Sequence, residues 1–221
     1  AGGIATTMST FSTPAELEVL VKNSACSVLL LERNVLKKDF AALLIELEPR
    51  IATVAPGELH SLKFPFLRHL AMVDSMEATG AMEGWSSFIA RGESVAPELV
   101  EASAASVAPA DPGVLFFSSG STGKPKGILS AHRGVCLQLW RWRKWLALDE
   151  GVRSWSANGF FWSGNFAIGI GGTLSAGGAL VLQPTFQAEE AIALMDAERV
   201  SYLFAWPHQW AQLTDAKNWL D

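Results

Sequence analysis

Cysteine and histidine are scarce in this 221-residue chain. Two cysteines, Cys26 and Cys136, build no disulfide framework and have no Cys or His companions at zinc spacing. They read as two small buried hydrophobes and fit a reducing, cytoplasmic compartment. The four histidines (His60, His69, His132, His208) are scattered, so no metal site is visible. A basic excess is also lacking: 17 Lys and Arg stand against 22 Asp and Glu, a net charge of −5. Binders of a phosphate backbone carry surplus cations, so nucleic acid is not the expected partner. Charged residues make up only 18% of the chain and hydrophobic ones 49%, which excludes a disordered tail and leaves ample apolar surface for a core.

The N-terminal stretch AGGIATTMSTFSTPAELE does not begin with methionine and has no basic region followed by a long apolar one. It does not read as a signal peptide. It starts in mid-pattern, and we expect the chain to be a piece of a longer protein. At about 150 residues per domain, the length corresponds to one large domain or one and a half.

Strands and helices alternate along the chain. Ile4 to Met8 reads as a short strand. Thr13-Pro14-Ala15-Glu16 reads as a helix start, with Thr at the N-cap, Pro at N1 and Glu at N3. Leu17, Leu20 and Val21 follow at helical spacing. Residues 27–31 form a buried-strand pattern, and a second helix is predicted over about 36–47 through Phe40, Leu43, Leu44 and Leu47. Another strand is expected at 67–73 and two short helices within 84–104. Beyond a Pro-containing connector at 105–112, β-type runs at 114–117 and 128–130 flank a loop. A long helix is predicted over 133–148, with Val135, Leu139, Trp142 and Leu146 on one face. Strands near 178–182 and 201–204 then alternate with helices at 186–198 and 207–217. This order predicts an α/β fold of layered, mostly parallel sheets with flanking helices. Residues 1–110 form its first α/β part and 111–221 the part carrying the loop.

Ser154 to Ala188 contains no charged residue. A membrane span needs about 20 predominantly apolar residues. This stretch holds Asn158, Asn165, Gln183, Pro184 and seven glycines between 159 and 178, so it reads as a Gly-rich helix and strand inside a core.

The chemistry sits in Ser118-Ser-Gly-Ser-Thr-Gly-Lys-Pro-Lys-Gly127, with four hydroxyls, three glycines and two lysines in ten residues. Glycines allow close backbone approach, successive N–H groups form an anion nest, hydroxyls add donors and lysines add charge. The composition suits a polyphosphate. A solvated hairpin loop would also use Gly, Ser and Pro, but has no need of two lysines and four hydroxyls together. A Walker A loop is disfavoured, because Gly123-Lys124 is followed by Pro125 rather than Ser or Thr, and Ser118 stands where its first Gly belongs.

Leu115 to Gly127 resembles the AMP-binding motif of adenylate-forming enzymes: acyl-CoA synthetases, luciferases and peptide-synthetase adenylation domains. Ser118 and Ser121 stand where Thr is commoner, and both keep the hydroxyl. The resemblance extends to Gly3–Leu31, to Ser130-Ala-His132, to the aromatic Phe160-Phe-Trp-Ser-Gly164 and to Phe186–Pro207, covering essentially the whole chain.

The resemblance implies part of the large N-terminal domain of such an enzyme, without its C-terminal domain. It implies activation of a carboxylic acid, expected here to be a fatty acid, with Mg2+ and ATP, followed by transfer to coenzyme A. Ser118, Ser119, Gly120, Ser121, Thr122, Gly123, Lys124, Lys126 and Gly127 would bind the ATP phosphates. Thr122 and Lys126 would be catalytic, while Lys124 sits at a variable position. Phe161, Trp162, Asn165 and Gly169 would lie at the acyl pocket, with Gly164, Gly169, Gly171 and Gly172 leaving room for an apolar tail. The family's adenine- and ribose-binding segments and the catalytic lysine of its C-terminal domain are not found in the chain, so these residues alone are expected to show little adenylation.

Trp140-Arg-Trp-Arg-Lys-Trp145 mixes aromatic and basic residues. It reads as an amphipathic helix with snorkelling cations, compatible with weak peripheral membrane contact. The rival functions are an adenylation domain that loads an aryl or amino acid onto a carrier protein, and a non-catalytic nucleotide-binding homologue. No Asp stands within Phe160–Phe166 to hold a substrate amine, which disfavours an amino acid.

Overall fold

The computed structural model describes residues 2–118 and 125–219. The chain divides into two compact units: residues 1–108 with 117–128, and residues 109–116 with 129–221.

The first unit opens with β1 (Ala5–Thr6) and α1 (Pro14–Ser24). Thr13 closes the predicted capping box: its Oγ1 accepts from the Glu16 N–H at 3.3 Å, and Glu16 Oε2 accepts from the Thr13 N–H at 2.8 Å. Then come β2 (Val28–Leu31), β3 (Asn34–Val35), β4 (Lys38–Asp39) and α2 (Phe40–Leu47). The second helix therefore starts at Phe40 rather than near Leu36. Residues 34–39 form a small antiparallel pair instead, and Asp39 caps α2 by accepting the Ala42 N–H at 2.8 Å. After β5 (His69–Met72), β6 (Met82–Gly84), α3 (Trp85–Ala90) and α4 (Pro97–Ala105), the chain crosses to the second unit.

Strands β2, β5 and β6 form one parallel sheet, with Leu29 opposite Leu70 and Leu70 opposite Met82. Its inner face and helices α1 and α2 enclose the core around Leu17, Val21, Leu44, Phe64, Leu70 and Met82. The carboxylate of Glu83 is buried and paired with Arg91 at 2.9 Å, and Arg91 also reaches Nδ1 of His69 at 3.0 Å.

β7 (Pro112–Ser118) and β8 (Lys126–Ala131) are neighbours in a further sheet, of order β1-β7-β8. In the second unit, α5 (His132–Trp145) leads to β9 (Arg153–Ser156), a π-helix (Asn165–Gly171), α6 (Gly172–Ser175), β10 (Ala179–Leu182), α7 (Ala188–Ala197), β11 (Tyr202–Leu203) and α8 (Pro207–Thr214). β9 is the central strand of a parallel sheet of order β10-β9-β11, with Trp155 opposite both Val181 and Leu203. Trp155 is fully buried, and Val181, Ala191 and Leu213 complete its core. The fold is thus α/β, with mostly parallel sheets and flanking helices, as the alternation of elements predicted.

The uncharged stretch becomes the end of β9, the π-helix, α6 and β10, and no helix among the described residues is long and apolar enough to cross a membrane. Val135, Leu139, Trp142 and Leu146 are all half-buried, in keeping with the one face their spacing predicted, whereas the expectation for Cys136 is corrected: it is exposed rather than buried, because it lies about 100° around the helix from Val135. Trp140 and Trp145 are exposed, with the Lys144 ammonium 5.8 Å from the Trp140 ring centre.

Candidate nucleotide- and acid-binding site

The phosphate-loop motif hangs between two adjacent strands. Ser118 is the last residue of β7 and is half-buried. Lys126 is the first residue of β8; it and Gly127 are exposed. The expectations for Ser119, Gly120, Ser121, Thr122, Gly123 and Lys124 lie outside the described residues. Proline at 125 offers no backbone donor just before β8, and Lys126 puts a cation at the strand entrance. Ser118, Lys126 and Gly127 belong to the first unit.

The junction after β8 is tied down inside the second unit. The His132 N–H donates to the Asp111 carbonyl at 3.0 Å and that of Arg133 to Pro109 at 2.9 Å. The Phe116 ring of β7 packs edge-on against Phe166 of the π-helix, with centres 5.2 Å apart.

The expected acyl-pocket residues all lie in the second unit. Phe160 and Trp162 are exposed, whereas Phe161 is half-buried, with its ring folded over Gly159. Phe161 and Trp162 touch each other, ring centres 5.3 Å apart. Asn165 is fully buried and occupied by protein: its Oδ1 accepts from Ser156 Oγ at 2.9 Å, and its Nδ2 donates to the Asn158 carbonyl at 2.8 Å. Gly169 faces that amide. A Cβ there would stand 2.7 Å from Asn165 Oδ1 and 3.2 Å from the Phe204 ring. The structure therefore brings together Asn165 with Gly169, and Phe161 with Trp162.

Sequence reasoning did not single out β9. Its serines point to one side at period two, and each meets a polar residue of the following helices: Ser156 meets Asn165, and Ser154 meets Thr173 at 2.6 Å. The readable signal was the alternation Ser154-Trp155-Ser156, polar toward the helices and aromatic toward the core. Among the described residues, no three His, Cys, Asp or Glu side chains converge as metal ligands.

Residues 1–220 match the sequence profile of the AMP-binding enzyme family, and the chain belongs to that family. A propanoyl:CoA ligase of Mycobacterium tuberculosis, whose acyl group carries a methyl-dioxo-octahydroindenyl ring system, is 32% identical over 151 residues; the match covers 68% of this chain and 29% of the relative. A 3-hydroxybenzoate/4-hydroxybenzoate–CoA ligase of Thauera aromatica is 29% identical over 108 residues, 48% of this chain and 21% of its own. The crystal structure of the anthranilate CoA ligase AuaEII with anthranoyl-AMP superposes with a TM-score of 0.74 at 20% identity, covering 98% of this chain and 38% of that one. The chain thus spans about a third or less of the length of the curated relatives named here.

Proposed function

We propose that this chain supplies the ATP-phosphate loop and part of the acid-binding wall of an acid–thiol ligase. The observation that carries the reading is the complete motif Ser118–Gly127 between two neighbouring strands of a chain that matches the AMP-binding family over residues 1–220. A carboxylate oxygen attacks the α-phosphorus of ATP, used as its magnesium complex. The bond to the bridging oxygen breaks, and pyrophosphate leaves with the developing charge. The loop N–H groups, the Ser121 and Thr122 hydroxyls and the Lys126 ammonium stabilise that charge where it grows. The thiol of coenzyme A then attacks the acyl carbon, loses its proton and displaces AMP. The cytoplasm, which supplies both ATP and coenzyme A, is the compartment this reading assigns to the work.

The acid is an apolar carboxylate that meets the aromatic segment Phe160–Trp162. A fatty acid laid along the Gly-rich helix is one form. A ring-bearing acid is the second reading, supported by two observations. Ring acids appear in the names of the relatives, and Gly169 and Gly171 are filled by protein: Phe204 and Asn165 at the first, Leu139 at the second. Of the glycines at 164, 169, 171 and 172, only Gly164 has nothing within 4 Å of the position a Cβ would take.

The test is pyrophosphate release by the full-length gene product with Mg-ATP and panels of fatty, aryl and amino acids. Release that depends on a fatty or ring acid supports the ligase reading and names the class. Dependence on an amino acid moves the protein to carrier-protein loading, and no acid-dependent release favours a non-catalytic homologue. The 221 residues alone are expected to form little acyl-adenylate.

A further inference from the structure

We propose that Asn165 is a positioning residue: its buried amide holds the irregular segment 158–162 in the shape that presents the aromatic wall to the acid. The inference rests on the acid-ligase reading and goes beyond it, because it gives this side chain a role other than contact with substrate.

Both ends of the amide are committed to protein. Oδ1 accepts from Ser156 Oγ at 2.9 Å, while Nδ2 donates to the carbonyls of Asn158 at 2.8 Å and Gly159 at 3.5 Å. Ser156 Oγ in turn accepts the Asn158 N–H at 3.2 Å, and Asn158 Nδ2 donates to the Phe204 carbonyl at 3.3 Å. Five residues thereby tie the end of β9, the following loop, the π-helix and the exit of β11 to one another. Residues 158 and 159 belong to neither strand nor helix; Asn165 satisfies the Asn158 carbonyl and shares the Gly159 carbonyl with the Trp162 N–H, which donates to it at 3.3 Å. Gly169 lies beside Oδ1 of the amide, and a Cβ there would stand 2.7 Å from that oxygen.

The two residues held directly, 158 and 159, are followed at once by Phe160, Phe161 and Trp162. The Phe161 ring rests on Gly159, whose carbonyl Asn165 binds. The direction of these aromatic side chains is therefore inherited from the carbonyls that the amide pins. An apolar residue at 165 would fill the space and take from the Asn158 carbonyl the donor it has here. The run of seven residues at π-helical pitch begins at Asn165, a geometry that recurs where a helix serves a site.

The experiment uses the full-length gene product and compares Asn165→Asp, Ser156→Ala and Ser154→Ala with wild type. Aspartate keeps the shape and the acceptor facing Ser156, but turns an oxygen toward the Asn158 carbonyl. Ser156→Ala is a milder second variant in case the first folds poorly. Ser154→Ala breaks the other buried tether between β9 and the helices and serves as the structural control. Steady-state kinetics with the best acid, and hydrogen exchange of the 158–162 amides, are read on the same samples.

Asn165→Asp is expected to raise the KM for the acid about tenfold with the KM for ATP held within about twofold, and to speed exchange at 158–162. Ser156→Ala should move both readouts in the same direction by less. Ser154→Ala should lower the Tm and leave both KM values in place. An unchanged acid KM in both tether variants, or an equal rise in Ser154→Ala, overturns the proposal. If wild type releases no pyrophosphate with any acid, the functional reading fails on its own and exchange decides the inference: faster exchange at 158–162 in Asn165→Asp than in Ser154→Ala upholds the hold on the segment, and equal exchange overturns it.

Discussion

Gly113 of β7 lies against the imidazole of His132, the first residue of α5: a Cβ at 113 would stand 2.6 Å from Nδ1 and 2.9 Å from Cγ. The backbone at 132 is anchored, since the His132 N–H donates to the Asp111 carbonyl. The ring cannot retreat by rotating a flexible tip, because the contact reaches its root atom. Gly113→Ala is expected to destabilise the fold by about 1–3 kcal/mol through overpacking. Urea denaturation measures it, and an unchanged midpoint would show that the ring swings clear.

The lysine at the entrance of β8 yields a different signature. Lys126 is exposed, so its removal leaves no hole in a core. Lys126→Ala is expected to lower acid-dependent pyrophosphate release by about 100-fold or more while leaving the Tm nearly unchanged. Lys124→Ala, at the variable position of the motif, should cost far less. Rates for the two variants in the full-length protein, compared at saturating ATP, check the order; equal losses would remove Lys126 from its special place.

The alternation of elements was legible because it rests on local rules. Thr13, Pro14 and Glu16 write a helix start within four residues, and the capping box forms as they predict. Leu17, Leu20 and Val21 face the core because their spacing matches the helix period. The start of α2 was less legible, since the 3,4 spacing of its leucines extends backward into Leu36. What stops the helix there is Asp39, whose side chain caps Ala42 while residues 34–39 pair as strands. β9 escaped notice for another reason. Its polar serines look like loop residues until Asn165 and Thr173, brought near by the fold, give their hydroxyls partners. Such long-range pairing has no local signature, and the role of Asn165 was hidden with it.

Asp39 gives a pH test of that cap. The N–H of Ala42 holds its carboxyl below the ordinary range, and Arg33 adds to this against partial desolvation. A depressed value in the folded state means that the contribution is complete above the unfolded value, about 3.9, and is lost as pH falls through the folded one. Asp39→Ala is expected to cost about 1 kcal/mol near neutral pH. The gap to wild type should shrink as the solution is taken from about pH 4 to about pH 2. Denaturant midpoints of both proteins across that range measure it; a constant gap would mean the cap does not titrate.

The second tether of β9 is suited to a double-mutant cycle. Thr173 Oγ1 donates to the Gly169 carbonyl at 2.7 Å and shares a 2.6 Å hydrogen bond with Ser154 Oγ, both side chains being fully buried. Thr173→Val orphans the buried Ser154 hydroxyl and is expected to cost about 1–3 kcal/mol, whereas Ser154→Ala leaves Thr173 Oγ1 its bond to the Gly169 carbonyl and is expected to cost about 1 kcal/mol. With both hydroxyls gone no unpaired group remains, and the double variant should cost less than the sum by about 1 kcal/mol or more. The two residues lie 19 positions apart in sequence, so this coupling reports tertiary packing of β9 on the helices and not a local turn. Equilibrium unfolding of the four proteins measures it. Additive losses would mean that the Ser154 hydroxyl finds water once Thr173 is removed, and that the space between β9 and the helices is open to solvent.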